Sequence, residues 1–415
     1  MKVLKHRRLS ITALWAMAFC CLVTQAMASA ATLVYLGKRG DPFTVHNVHR
    51  LVRDPRQAFF VHYRGNPVIS GPNLYAPNPV TAGSAWNVYF GGWRAAGQQH
   101  DEIYLSTTRD DTLTHGFSGV RTVIGHGVYR AVNDPSAVRR NNRWFMAMTT
   151  AVAGGNDHCS VMTSPDGVHW PQPINRTHEI IFRGAHVSLC GRPSLIWNSR
   201  YQGTSRTGRW ELYFDGIANG RRQQHLAVST EAVPRHFSYV RPVGRFVDAD
   251  VRLLPTGQYI AAYRRLGGPK DWRINYATSQ DGIHFTDHGQ LLAPDPLAGY
   301  DDCGVTNPGW AINEKGVITS LMYGGTNSCH YTTHKLGVAL PQAAVTLFSG
   351  TVAHTHRQAV NASTQRIDTH QYKNVDKITI TDHSGAPPII NQTIHGTTGD
   401  AWGVIYPHRP AKGIH

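Results

Sequence analysis

The sequence predicts an all-β fold, a five-bladed β-propeller with a small C-terminal β extension, on three observations. The first is a repeat. Asn78-Pro79, Asp134-Pro135, Arg192-Pro193, Asp250-Val251 and Asn307-Pro308 stand 56, 58, 58 and 57 residues apart. The second is the segment after each anchor: an apolar stretch, a polar hairpin and an aromatic-rich strand. Those strands are Trp86 to Tyr89, Trp144 to Met148, Trp210 to Phe214, Tyr259 to Tyr263 and Val317 to Tyr323. In the first four units a further strand runs into Thr107-Thr108, Thr163-Ser164, Ser229-Thr230 and Thr278-Ser279. About four short strands per unit of fifty-odd residues describe one propeller blade. One blade cannot bury both its faces, so several pack in a ring. The third is punctuation: 40 glycines and 23 prolines keep strands short, and helical periodicity is nearly absent. Five equal repeats weigh against the rival two-sheet sandwich.

Residues 1–30 read as a secretion signal. Lys2, Lys5, Arg7 and Arg8 form a cationic start, Ile11 to Val23 an apolar run, and Ala28-Ser29-Ala30 or Ala26-Met27-Ala28 a small-residue cleavage site. The run is too short for a permanent anchor. Cys20 and Cys21 lack the small residue that precedes a lipid-modified cysteine. The expectation is a secreted or periplasmic protein with no membrane anchor, acting as a monomer. Residues 31–340 are assigned to the propeller, with 31–70 as a lead-in whose strand-like Phe59 to Tyr63 closes the last blade. The third unit has a longer first hairpin. Residues 341–415 turn Thr-, His- and Asn-rich and read as a small β appendage, with alternating stretches at Lys377 to Thr381, Pro388 to Ile394 and Trp402 to Tyr406.

The formal net charge is +15, and removing residues 1–30 discards four Lys/Arg and no acid, leaving +11. A basic surface favours anionic partners through long-range steering, an acidic polysaccharide among them, or serves solubility alone. No Lys/Arg-rich helix or aromatic-basic motif points to nucleic acid. Four cysteines remain after export, and an even number in an oxidising compartment argues for disulfides. Cys159 with Cys190 and Cys303 with Cys329 are the expected pairs. Paired metal-ligand spacing is missing, so no cofactor is assigned, with calcium in the funnel left open.

Ser164-Pro165-Asp166-Gly167-Val168-His169-Trp170 recurs as Ser279-Gln280-Asp281-Gly282-Ile283-His284-Phe285. Asp-Gly between two strands is a hairpin signal, and the hydroxyl and carboxylate are placed to bond turn amides. A structural role is expected for both. The motif resembles the aspartate boxes of sialidases.

Chemistry is expected at the central funnel, which the first strand of each blade lines. The five anchors then form a ring of Asn78, Asp134, Arg192, Asp250 and Asn307. Five polar groups at a narrow mouth are costly to bury unless they pair or meet a ligand. They form either a self-satisfied network, with Arg192 bridging Asp134 and Asp250, or a sugar-binding pocket with carboxylates for acid/base work. Asp248 lies two residues before Asp250, on the same strand face. Like charges in proximity keep one carboxylate protonated, so Asp250 or Asp248 is the expected acid and Asp134 the expected base. Substrate-binding candidates are Asn78, Arg192, Asn307, His186, Trp93 and Asp215. His126 and Asp302 are reserve groups, and Trp310 is read as blade packing.

The repeat pattern resembles the five-bladed propeller glycoside hydrolases, chiefly families 43 and 32. Tyr75-Ala76-Pro77-Asn78-Pro79 resembles the aromatic-Ala-Pro-Asp segment of family 43. Asn133-Asp134-Pro135-Ser136-Ala137-Val138 with Trp144-Phe145-Met146 resembles its Asp-Pro-Ser strand and aromatic hairpin. The resemblance implies an exported hydrolase of polysaccharides or oligosaccharides, with three acidic residues on innermost strands. Two departures stand out: Asn78 in place of the family's Asp, and Gly191-Arg192-Pro193 in place of the Glu-x-Pro segment that supplies the acid. Arginine cannot donate a proton at neutral pH. The alternatives are a glycan-binding propeller that does not cleave and, last, a polysaccharide lyase using Arg192 against a uronate.

Overall fold

The computed structural model describes residues 58–346 other than 64, 99, 185–186, 203–206, 219, 266–271, 296–298 and 329–331, with five strand segments of two to four residues outside that range. The signal segment 1–30, nearly all of the expected extension over 341–415, His186 and Cys329 lie outside the described residues. The chain divides into a compact unit, Arg50–Pro341, and a second that gathers Met1–His49 with Gln342–His415. The first unit holds the propeller.

Five sheets correspond to the five repeats. Blade one is Asn73–Ala82, Ala85–Trp93, Glu102–Thr108 and Arg121–Ile124; blade two is Ala131–Arg140, Arg143–Ala151 and His158–Ser164. Blade three is Gly191–Gln202, Thr207–Ala218, Arg221–Ser229 and His236–Gly244; blade four is Phe246–Leu253, Tyr259–Arg265, Ile274–Ser279 and Thr286–Leu292. Blade five is Gly304–Ile312, Ile318–Thr326 and Lys335–Thr346, and Ala58–His62 adds its outer strand, so the lead-in closes the ring as expected. The first strands neighbour one another in the cycle one-two-three-four-five-one. Every aromatic-rich strand read from the sequence is a second strand of its blade.

Blade two departs from the four-strand expectation. Among the described residues, beside its third strand lies only Glu179-Ile180, with one isolated bridge, Ser160 to Glu179, and the Ile180 amide on Cys159 O, while Gln172 in Pro171-Gln172-Pro173 donates to Val123 O of blade one. Proline has no N–H to give a ladder, and Ile181–Arg183 pairs in parallel with His236–Ser238 of blade three instead. The Cys159–Cys190 disulfide pins this irregular crossing. Cys303 is also disulfide-bonded.

The core lies between blades. Tyr89, Leu105, Trp144 and Met146 fill the gap between blades one and two; Phe145, Leu195 and Trp210 that between two and three. Ile196, Tyr213, Val251 and Tyr259 lie between three and four, then Ile260, Val305, Trp310 and Leu321 between four and five. Leu74, Trp86, Met322 and Leu336 close the circle. Trp310 is therefore blade packing, edge-on to Phe60 at 5.6 Å. Both Asp-Gly turns are structural. Asp166 Oδ1 accepts from the Val168 and His169 amides, both at 2.8 Å, and Asp281 Oδ1 does the same for Ile283 and His284. Each turn is also tied to the preceding blade, since Tyr89 Oη donates to Gly167 O and Tyr213 Oη to Gly282 O.

Candidate active site

Each first strand carries a β-bulge at the same place: between Tyr75 and Asn78, Asn133 and Ser136, Gly191 and Ser194, Val247 and Asp250, and Thr306 and Gly309. Within each bulge one non-glycine residue adopts a left-handed backbone: Ala76 (φ 55°), Asp134 (49°), Arg192 (53°), Asp248 (53°) and Asn307 (51°). A bulge re-aims a side chain, and a non-glycine residue at positive φ stores on the order of 1–3 kcal/mol where the surroundings enforce it, most often at functional sites. Here the same outlier recurs on all five strands around one axis.

This corrects the ring read from the sequence. The structural equivalents of Asp134, Arg192 and Asn307 are Ala76 and Asp248, two residues before Asn78 and Asp250. Asn78 and Asp250 belong to a different ring, which ties the blades together. Asn78 Oδ1 accepts from Ala137 N at 2.8 Å, and Ser136 Oγ from Leu195 N at 2.9 Å. Ser194 Oγ accepts from Val251 N at 3.1 Å, and Asp250 Oδ2 from Trp310 N at 2.7 Å. The fifth member is Gly309, packed so closely on the Pro77 carbonyl that a Cβ would collide. Arg252 Nε takes both oxygens of Asp250, at 2.9 and 3.0 Å. Asp250 is thus committed to backbone and arginine, and the expected Arg192 bridge to it is replaced by Arg252.

Around the axis the bulge residues form an ion-pair network. Arg192 Nη1 donates to Asp134 Oδ1 at 3.3 Å, and Asn307, with its amide oxygen turned to the guanidinium, accepts from Arg192 Nε and Nη2 at 3.1 and 3.2 Å. Thr149 Oγ1 donates to Asp134 Oδ2 at 3.0 Å and accepts from Arg192 N at 2.9 Å. Asp248 Oδ2 accepts from Arg264 Nε at 2.7 Å, while Arg222 Nη2 lies 3.5 Å from Asp248 Oδ1 and 2.6 Å from Asp215 Oδ2. The Asp248 amide donates to both Asp215 oxygens at 3.2 Å. Asp134 is the most open of the charged ring members, its side chain 14% exposed against 8% for Arg192 and for Asp248. Asp215 is fully buried and supports the Asp248 loop rather than facing a ligand.

The environments push the three carboxyls apart. Burial raises Asp134 to about 6, against the pull of Arg192, with the Asp248 charge adding to the rise. Burial and the Asp248 charge raise Asp215 to about 7. Burial also pushes Asp248 upward, but Arg264, Arg222 and Arg192 together outweigh it and hold the group below the usual carboxylate range. Pairs of carboxyls driven in opposite directions mark acid and base assignments.

Beside Asp134 lies a cluster that sequence reasoning missed. Tyr75 Oη donates to Asp101 Oδ2 at 2.6 Å, and Asn133 Nδ2 donates to Tyr75 Oη at 2.9 Å and to Asp101 Oδ2 at 3.0 Å. Burial raises the Asp101 carboxyl and lowers the nearby His334 imidazole to about 4. Adjacency of Tyr75 and Asn133 to the bulge residues was the available signal; the Asp101 loop had none. Of the remaining candidates, Trp93 ends the second strand of blade one, half-buried and paired with Asn73. His126 stacks on His100 at 4.3 Å, and Asp302 is exposed. Calcium does not fit the ring, because each of its carboxylates already faces an arginine; among the described residues no group of three or more His, Cys, Asp or Glu could hold a metal.

No protein-family model matches this chain. No curated protein sequence matches it either. Solved structures do. A complex of BT0996 with RGII superposes with a TM-score of 0.51 at 13% identity, covering 68% of this chain and 90% of that one. A structure described as a glycoside hydrolase gives 0.51 at 13% identity, covering 72% and 94%. The family 43 enzyme from Xanthomonas citri complexed with xylotriose gives 0.47 at 15% identity, covering 69% and 91%. The chain thus has the fold of the five-bladed propeller glycoside hydrolases, at remote sequence identity.

Proposed function

We propose that the protein is a glycoside hydrolase whose funnel carboxylates Asp134 and Asp248 act as acid and base. The observation that carries this reading is the ring of five left-handed bulge residues, which turns two carboxylates of unlike protonation behaviour toward one axis. Asp134, raised to about 6, holds a proton for the glycosidic oxygen as the bond to the leaving sugar breaks. Asp248, ionised, takes the proton of the attacking water, and cleavage adds one water across the bond. This reverses the assignment read from the sequence, where Asp134 was the base and Asp250 or Asp248 the acid. Arg192 fixes Asp134 and Asn307 rather than donating protons. The shared fold and a neighbour solved in complex with RGII support a carbohydrate ligand.

A second reading, glycan binding without cleavage, is favoured by one observation. Blade one places Ala76, and blade three Arg192, where a carboxylate would complete the set. Reducing-end release from a panel of polysaccharides separates the two readings. Hydrolysis predicts release by the wild-type protein and its loss in Asp134→Asn and Asp248→Asn with folding retained. Binding without release by the wild type establishes the second reading.

A further inference from the structure

The charges at the funnel end of the blades are not evenly shared. In blade three, Arg221 and Arg222 begin the third strand opposite Ala218 and Ile217. Gln224 pairs with Gly244, which brings Arg245, the next residue, to the same end of the sheet. In blade four, Arg265 pairs with Phe246 at the start of the first strand, and Arg273 directly precedes the third. These segments contribute five arginines and, among the described residues, no acid. The stretch leading to blade five, tied to Trp272 through the Val305 amide, carries Asp295 and Asp302, with Asp301 buried.

The five arginines differ in how they are held. Arg222 reaches inward to Asp215 and Asp248 yet keeps its side chain 42% exposed. Arg265 is paired with Asp287, and Arg273 Nη1 donates to the amide oxygen Oε1 of Gln290 at 2.7 Å. Arg221 and Arg245 are exposed, and neither side chain makes an ion pair among the described residues. The result is a cationic rim that leads from solvent through Arg222 to the Asp248 carboxylate. Planar guanidinium groups match carboxylate and sulfate oxygens in bidentate fashion. Arg222 and Arg265 are offset by Asp215, Asp248, Asp157 and Asp287, so the exposed Arg221 and Arg245 carry the excess charge that attracts ligands of the opposite sign. Neutral glycans would gain nothing from it.

We infer that the funnel takes an anionic glycan, one bearing carboxylates or sulfate esters, and that the arginines at the blade three–four rim, Arg221 and Arg245 foremost, grip the charged units beside the ring. This rests on the carbohydrate reading above and names the substrate class of that site. Two sources of the same chemistry are distinguished by the choice of polymer. Binding of the full-length protein to polygalacturonate, to a sulfated galactan and to neutral arabinan is measured by calorimetry at low and high salt, for the wild type and for the double variant Arg221→Gln/Arg245→Gln. Both residues are exposed, so the variant is expected to fold. The expected result is binding to polygalacturonate or the sulfated galactan, falling with salt and about three- to tenfold weaker in the double variant, with arabinan bound weakly and equally by both proteins. Preference for polygalacturonate identifies uronates as the charged units; preference for the galactan identifies sulfate. Equal affinity for arabinan, an unaffected double variant, or equal affinity for duplex DNA would each overturn the inference. Failure of hydrolysis with anionic binding intact would count against the catalytic reading alone.

Discussion

Asp250 separates scaffold from chemistry, because the sequence places it among the catalytic candidates and the structure gives it a framework role. Replacing it with alanine removes the acceptor for the buried Trp310 amide, held at 2.7 Å, and the partner of Arg252 Nε at 2.9 Å. A buried donor left unsatisfied costs about 1–3 kcal/mol, and loss of a charge-assisted hydrogen bond adds about as much again at most. The alanine variant should therefore lose about 3 kcal/mol, or about 5–10 °C in Tm for a unit of this size. Asp250→Asn keeps an oxygen for the Trp310 amide and should lose about half as much. Thermal unfolding by circular dichroism reads both, with glycan turnover measured on the same samples below the transition. Turnover by Asp250→Asn should stay within a few-fold of wild type. A variant with wild-type Tm and no turnover would refute the scaffold role and return Asp250 to the chemistry.

Three further outcomes are expected from the same geometry. With Asp134 raised to about 6 and needed in its protonated form, turnover should fall as pH rises through about 6, while its acid limb should lie below the usual carboxylate range because Asp248 is held low; a pH–rate profile flat from 5 to 8 would contradict this. His62 clamps the closing strand, with Nδ1 3.1 Å from Asp301 Oδ2 and Nε2 2.7 Å from Ala293 O; burial opposes its charge, but Asp301 and Asp295 raise its pKa overall. Its contribution is then fully present below about 6.5 and lost as pH rises through the folded-state value, so Tm should decline across that window and His62→Gln should flatten the decline. Cys159 and Cys190 close a loop of 31 residues, and replacing both by serine should cost about 4 kcal/mol in the chain-entropy account, read as a lower denaturant midpoint.

Much of the fold was legible because it is written in turns and periods. The Asp-Pro, Arg-Pro and Asn-Pro anchors of blades two, three and five mark their bulges directly, and the Asp-Gly turns announce two hairpins. The slip came in blades one and four, for a physical reason. Blade one has two X-Pro pairs, Ala76-Pro77 and Asn78-Pro79, and the polar one drew the assignment. Blade four has no proline at its bulge, and Asp248 and Asp250 would share a face on a regular strand. Only the bulge, with its left-handed residue, turns one toward the axis and the other toward the next blade. The partners of Asp248 were beyond reach for another reason. Arg222, Arg264 and Asp215 meet it through the registers of two blades, and register is set by packing that a single sequence does not display.

The most direct test is a crystal structure of Asp134→Asn soaked with an anionic oligosaccharide. A glycosidic oxygen is expected within hydrogen-bonding distance of residue 134, with Asp248 facing the adjoining anomeric carbon from the other side and charged units against Arg221 and Arg245. A sugar seated away from the bulge ring, with Asp134 and Asp248 still locked to their arginines and untouched, would contradict it.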